Sequence, residues 1–142
     1  MCLYKHIYSN YYNMDISPTE NSILKKFNYK AISTDFINFF YSNWVASPNN
    51  LTSVFNDYST LCFKDTIYKG PNIVYFLIEK KNGELFRIDN MWWNSLESGS
   101  RRIDILVTAT VTKGISKYSL VQQFTLAHND SWRIHNSILN IF

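Results

Sequence analysis

The feature that most constrains this chain is a regular alternation of apolar and polar residues through its second half. In the segment "RIDILVTATVT", Ile103, Ile105 and Val107 alternate with Asp104 and Thr108. A period of two places the two sets on opposite faces of a β-strand. The same period continues in "ELFRIDNMWW" and "KYSLVQQFTLA". The second half therefore predicts long antiparallel strands, joined by turns at "ESGS" and "AHNDS".

The alternation also assigns individual residues to faces. Phe86, Ile88 and Trp92 fall on one face, and the adjacent Trp93 must point to the opposite one. Gln122 is a polar exception within an apolar set. The last strand begins at Trp132 and changes phase near residues 136–137, which predicts a β-bulge. Two short strands, in "STLCFKD" and "TIYKG", are expected before these long ones, joined at residues 65–66.

The first half of the chain carries helix signals. Ser17, Pro18 and Glu20 form a capping box with proline at the first helical position. Apolar residues then recur on one helix face: Ile23, Leu24, Phe27, Ala31, Ile32, Phe36, Phe39, Phe40 and Trp44. This spacing predicts helix over about residues 18–45, as one helix or as two with a restart at residues 33–35. A second helix is predicted over residues 71–81, between a proline and "NG".

Helices first and strands last indicate an α+β domain, with helices packed on one face of a curved sheet of five or six strands. With 142 residues, of which 46% are hydrophobic and 18% charged, the chain has material for one folded domain. We assign residues 1–16 to a loose N-terminal tail and residues 17–142 to the domain.

Several classes of function lack support in the sequence. The net charge is +3 and the basic residues are scattered, so direct nucleic-acid binding is not expected. No apolar run is long enough to span a membrane, and no signal peptide begins the chain. Cys2 and Cys62 have no metal-ligand spacing, and no phosphate-binding glycine loop occurs. We therefore expect an intracellular protein without membrane, metal or cofactor.

Six segments in order carry a resemblance to a known family. They are "DFINFFYSNW", "LTSVFNDYSTLCFKDTIYKG", "PNIVYFLIEK", "QQFTL", "DSW" and "HNSILNIF". Their order and spacing, from about Tyr29 to Phe142, resemble the nuclear transport factor 2 family. The resemblance implies a cone in which helices pack on a strongly curved antiparallel sheet. It also implies that the open face of this sheet binds a second subunit, as a homodimer or a heterodimer.

The resemblance implies five partner-binding residues on the open sheet face: Trp92, Trp93, Gln122, Phe124 and His135. One of the two adjacent tryptophans belongs to the core and the other faces the partner or solvent. Within an apolar face, Gln122 would meet a polar group across the dimer seam.

The family includes an import factor that carries GDP-bound Ran and binds phenylalanine-glycine repeats of the nuclear pore. Its acidic Ran-binding position is Lys64 here, beside Asp65, and its acidic turn is "KGISK", which has no acid. Tyr29 stands where the import factor has a pore-binding tryptophan. The resemblance thus favours the small subunit of the mRNA export receptor, which acts in the nucleus, nuclear pore and cytoplasm. Ran-GDP import remains the alternative.

A third branch of the family consists of isomerases and dehydratases with carboxylates or histidines inside the cone. The corresponding candidates are Asp65, Asp89, Asp104 and His135. Asp89 and Asp104 alternate away from the apolar face of their strands, and a lone histidine without a placed partner makes a weak catalytic site. We therefore expect a non-catalytic protein.

Overall fold

The structure is a computed structural model that describes residues 27–83 and 85–142. The elements within these residues are α1 (Tyr29–Ala46), a 3₁₀-helix (Pro48–Val54), β1 (Thr60–Phe63), β2 (Thr66–Lys69), α2 (Pro71–Lys81), β3 (Phe86–Gly99), β4 (Arg102–Lys113), β5 (Ser116–His128) and β6 (Trp132–Ile141). The order of helices and strands confirms the predicted α+β class. The division at residue 17 lies outside the described residues.

The six strands form one curved, unclosed sheet in the order β2-β1-β6-β5-β4-β3. Neighbouring strands are antiparallel except for β1 and β6, which are parallel. The last strand in the sequence therefore lies inside the sheet, between β5 and β1. A curved sheet of five or six strands was predicted, and the structure confirms it.

Helix α1 begins later than the sequence predicts. Phe27 and Asn28 are not helical, and the Asn28 side chain caps the helix by accepting a hydrogen bond from the Ala31 N–H at 3.0 Å. The prediction of helix through residues 27–28 is wrong, because an asparagine cap satisfies the free N–H groups of a new first turn at this point. The predicted cap at Ser17 lies outside the described residues.

The helix continues without a restart through residues 33–35. Ser33 Oγ donates to the carbonyl of Tyr29 at 2.7 Å, and Thr34 Oγ1 donates to that of Lys30 at 2.8 Å. These hydroxyls bond to the preceding turn of the same helix, so they do not begin a new one. The alternative of a restart at residues 33–35 is therefore wrong, whereas α1 ends just before Ser47 and Pro48, as predicted.

Helix α2 has the predicted bounds, Pro71–Lys81. It buries Ile73, Val74, Phe76 and Leu77, and the Leu77 carbonyl accepts a hydrogen bond of 2.9 Å from Trp44 Nε1. This bond ties α2 to α1 in the core. Across residues 27–83 and 85–142, no helix combines the length and the apolar character needed to cross a membrane.

The core lies between the helices and one face of the sheet, which we call the inner face. It carries Ile103, Ile105 and Val107 of β4, and each is at most 1% exposed. The α1 side chains that pack against it are Phe36, Ile37, Phe40, Tyr41 and Trp44. The opposite face, which we call the outer face, carries Asp104, Leu106 and Thr108. The alternation predicted from "RIDILVTATVT" is thus confirmed.

Bulges in the middle of β3 and in β6 bear on the predicted faces. In β3, two residues, Asn90 and Met91, stand opposite one residue of β4, and Asn90 has a φ of 54°. Trp92 therefore pairs with Thr108 on the outer face. The prediction that it shares a face with Phe86 and Ile88 is wrong, because the extra residue shifts the alternation by one.

The second bulge lies in β6. Leu126 pairs with Ile134 and Thr125 with Asn136, so His135 is the extra residue. The sequence predicted a bulge here, and the structure places it one or two residues earlier.

Candidate partner-binding site

The outer face of β3 and β4 exposes three large apolar side chains. Trp92, Leu96 and Leu106 are 56%, 66% and 44% exposed. They line a shallow cleft of about 400 Å³ together with Asp104 and Gln123. Long paired strands hold these side chains at fixed spacing, so this surface is preformed. Grouped exposed apolar side chains are typical of protein-binding surfaces.

A polar network borders this cleft. Asp104 Oδ2 lies 3.5 Å from Arg102 Nη2, and Asp104 Oδ1 accepts a hydrogen bond of 3.0 Å from Thr125 Oγ1. Gln123 Nε2 donates to Thr125 Oγ1 at 3.2 Å. Burial raises the pKa of the Asp104 carboxyl, and the Thr125 hydrogen bond partly opposes this rise. Burial lowers the pKa of Arg102. The outer face thus combines an apolar cleft with fixed, partly desolvated polar groups.

The five predicted partner-binding residues do not share one face. Trp92 is on the outer face, whereas Trp93 pairs with Val107 and packs half-buried against the core. The two tryptophans therefore point to opposite sides, as predicted. His135 is half-buried at the β6 bulge.

Gln122 and Phe124 are fully buried on the inner face. The Phe124 ring lies 5.0 Å from that of Phe36 and 4.9 Å from that of Phe40, both on α1. The prediction that these two residues lie on the open face is wrong. Helix α1 covers the face of β5 that carries Phe124 and the other apolar residues. The alternate residues of β5, such as Gln123 and Thr125, lie on the outer face.

Gln122, the polar residue within the apolar set of β5, finds its hydrogen-bond partners within the chain. Its Oε1 accepts a hydrogen bond of 2.6 Å from the Tyr41 hydroxyl, and its Nε2 donates to Ser137 Oγ at 3.0 Å. Ser137 Oγ in turn donates to the carbonyl of Gln123 at 2.9 Å. Burial raises the pKa of Tyr41 well above its ordinary value, so this hydroxyl stays protonated as the donor. The network joins α1, β5 and β6 and leaves Gln122 satisfied.

The four candidates for catalysis lie on different elements of the fold. Asp65 is exposed in the β1–β2 turn, and Asp89 is paired with Arg87 at 2.6 Å on β3. Asp104 belongs to the outer-face network, and His135 to the β6 bulge. Among residues 27–83 and 85–142, no group of three or more histidine, cysteine or acidic side chains could hold a metal ion.

The remaining predicted positions lie at two ends of the domain. Lys64 is in the β1–β2 turn with a φ of 55°, and its Nζ lies 5.4 Å from the centre of the Phe63 ring. Tyr29 is half-buried at the start of α1, where its hydroxyl donates to the carbonyl of Ser100 at 2.9 Å. Tyr29 thus anchors α1 to the β3–β4 turn.

An aromatic cluster surrounds Tyr29. The Trp132 ring lies 6.2 Å from that of Tyr29 and 5.2 Å from that of His128, and Phe27 contacts all three. The pKa of His128 is lowered by burial and by the charge of Arg101, while Asp130 opposes this change. The cluster fixes the start of α1 to the ends of β5 and β6.

Sequence reasoning missed Leu96, Leu106 and Gln123 as members of the outer-face cleft. Leu106 interrupts the polar set of "RIDILVTATVT" with an apolar residue, and this was the available signal. On a strand whose inner set is already complete, an extra apolar residue indicates a second apolar surface.

Comparisons of sequence match the chain to no family model and to no curated protein. Solved structures do match. Nuclear transport factor 2 from Cryptosporidium parvum superposes with a TM-score of 0.67 at 19% identity, covering 82% of this chain and 97% of that one. The chain therefore has the nuclear transport factor 2-like fold.

Two further matches are complexes. The Mtr2–Mex67 M domain complex of C. albicans gives a TM-score of 0.59 at 11% identity, covering 80% of this chain and 94% of that one. The yeast Ubp3–Bre5 complex gives 0.61 at 18% identity, covering 82% and 98%. At these identities the likeness establishes the fold alone. In both complexes the matching fold occurs together with a partner protein.

Proposed function

We propose that this protein is a non-catalytic adaptor of nucleocytoplasmic transport that binds a second domain of the same fold through its outer sheet face. The observation that carries the proposal is the exposed cluster of Trp92, Leu96 and Leu106 on rigid strands. Covering such a cluster removes apolar surface from water and stabilises a complex. The solved complexes with the same fold support a partner-binding role.

The interior of the cone supports the absence of catalysis. Between α1 and β5 the interior is packed with aromatic side chains, and Phe40, Trp44 and Phe124 are 0% exposed. The buried side chain of Gln122 is engaged by Tyr41 and Ser137. A catalytic cone needs room for substrate and a reactive group near that room. A cleft of about 430 Å³ remains between α1 and β3, but none of the four candidates for catalysis lines it.

Within transport, we propose the role of small partner of an mRNA export receptor, acting at the nuclear pore and on both sides of it. The proposal against Ran-GDP import rests on charge. Lys64 occupies the expected acidic position, and the β4–β5 turn is flanked by Lys113 and Lys117 without an acid. Surfaces that bind one partner through acids bind it poorly after charge reversal. Docking on phenylalanine-glycine repeats belongs to the same proposal.

The test compares two single substitutions in purified protein. Leu106→Asp places a charge in the outer-face cleft, while Ile115→Asp places the same charge on a fully exposed turn residue. Each variant is used to recover the native partner from cells expressing tagged protein, alongside a pull-down with purified Ran-GDP. We expect a partner with a similar domain to be lost with Leu106→Asp and retained with Ile115→Asp.

Binding of Ran-GDP by the unchanged protein, abolished by Asp65→Asn but not by Leu106→Asp, would instead establish the import role. A copurifying metabolite that is lost on substitution of Asp65 or His135 would instead favour the enzyme. Circular dichroism of each variant confirms that it is folded.

A further inference from the structure

Strand β2 ends the sheet and leaves one backbone edge without a strand partner among the described residues. The two-residue turn makes Phe63 and Thr66 a hydrogen-bonded pair, and Gly70 N–H donates to the Ser59 carbonyl at 3.0 Å. Hydrogen-bonded and non-bonded pairs alternate along an antiparallel ladder. The backbone N–H and C=O groups of Ile67 and Lys69 therefore point away from β1, toward the free edge.

A groove of about 570 Å³ runs along this edge, between β2 and α2. One wall is β2 itself, and the other is the helix face that carries Asn72, Tyr75 and Glu79. Its base includes the Tyr68 and Phe76 rings, stacked with centres 4.4 Å apart. Tyr75 is 66% exposed. The groove thus offers paired backbone groups on one side and aromatic surface on the other.

The groove is bordered by cationic side chains. Lys69 lines it, and Lys80 Nζ lies 5.5 Å from the centre of the Phe76 ring and 4.5 Å from that of Phe63. Lys64 lies over the same Phe63 ring. The recorded ion pairs of the described residues, such as Arg87–Asp89 and Arg102–Asp104, do not involve Lys64, Lys69 or Lys80. Glu79 is the single acid among the groove residues.

We propose that this groove binds an extended acidic segment of a partner protein, which adds to β2 as a seventh strand. Its backbone pairs with Ile67 and Lys69, and alternate apolar side chains lie on Tyr68, Phe76 and Tyr75. Its carboxylates alternate with these side chains and face Lys69, which lies on the opposite face of β2 from Tyr68. Backbone pairing supplies affinity and the alternate side chains supply specificity. A nucleic acid fits less well, because it cannot pair with a strand edge.

The test uses a fluorescein-labelled octapeptide, Asp-Phe-Glu-Val-Asp-Phe-Glu-Val, with fluorescence anisotropy as the readout. Three probes serve as controls: the peptide with Asn and Gln in place of its acids, the peptide N-methylated at alternate residues, and a labelled oligothymidine. We expect the first peptide to bind and N-methylation to weaken binding by about tenfold, since it removes the strand hydrogen bonds.

The protein variants are matched. Lys69→Glu should weaken binding of the octapeptide by about fivefold, because it reverses a charge beside the carboxylates. Lys117→Glu, which makes the same change at an exposed site on β5, should leave binding unchanged. Amide resonances of Ile67 and Lys69 should shift on titration, while those of Trp92 and Leu106 should not.

Several outcomes would overturn the proposal. One is the absence of octapeptide binding at concentrations up to about 1 mM. The others are equal binding of the N-methylated peptide, shifts confined to the outer face, and preferential binding of oligothymidine. Because the groove is distinct from the outer face, loss of either interaction leaves the other measurable.

Discussion

The inner and outer faces of the sheet are built by the same strands but differ in how their side chains are satisfied. On the inner face, Phe124 and Gln122 are fully buried, and α1 supplies their aromatic contacts and hydrogen bond. On the outer face, Trp92 and Leu106 remain about half exposed beside a polar network. The inner face is thus covered within the chain, whereas the outer face leaves large apolar side chains exposed. Substitutions on the two faces should therefore affect different measurements.

The largest expected effect is on the inner face. Phe124→Ala should lower the free energy of unfolding by about 3–5 kcal/mol, because it leaves a cavity against Phe36 and Phe40. Urea denaturation followed by tryptophan fluorescence measures this change. Phe39→Ala is the matched control, since Phe39 is exposed on α1. A loss below about 1 kcal/mol would mean that α1 does not cover this face.

The next effect is on the outer face. Trp92→Ala should weaken association with the partner domain by about 2–4 kcal/mol, as truncation of a central interface tryptophan does. The free energy of unfolding of the isolated chain should change by less than about 0.5 kcal/mol. Sedimentation equilibrium and urea denaturation give the two values. If stability falls and association does not, the outer face is not the interface.

A smaller effect should follow removal of one hydroxyl inside the cone. Tyr41→Phe leaves the Gln122 carbonyl oxygen without its 2.6 Å donor and should cost about 1–3 kcal/mol of unfolding free energy. Tyr118→Phe makes the same change on an exposed residue and should cost nothing measurable. Equal stability of the two variants would show that water or another group replaces the Tyr41 donor.

The smallest effect is expected at His128, which lies at the end of β5 close to the start of α1. It concerns the pH dependence of stability. Because the folded state lowers the pKa of His128, the unfolded state binds its proton more tightly. This contribution to stability is complete above the ordinary histidine pKa of about 6.5 and is lost as pH falls through the lower folded pKa. His128→Gln should therefore flatten the decline in melting temperature between about pH 7 and 5. An unchanged slope would contradict this assignment.

The sequence predicted the positions of helices and strands better than it predicted which face of the sheet each side chain occupies. The alternation around Ile103 and Ile105 and the Pro71 helix start are local signals, and the structure confirms both. The start of α1 was misplaced because several residues could cap a helix there, and the choice depends on packing of Tyr29 near the β3–β4 turn. Local patterns do not contain that distant contact.

The assignment of side chains to faces depended on contacts and a bulge that local patterns do not show. Gln122 was interpreted as a partner contact because its donor and acceptor, Tyr41 and Ser137, are 81 and 15 residues away in the sequence. Trp92 was assigned to the wrong side because the bulge at Asn90 leaves no clear mark in "RIDNMWW". A period of two fixes relative sides only until one residue is inserted.

The parallel pairing of β1 with β6 has a consequence for synthesis. Within the described sheet, the β1–β2 hairpin is joined to the other strands through β6 alone, and about 70 residues separate Phe63 from Trp132. At translation rates of about 5–20 residues per second, the hairpin must wait roughly 4–14 s on the ribosome for its neighbour. During that time an apolar strand edge is open to other nascent chains. The step that completes the sheet therefore has to wait until β6 has been synthesised.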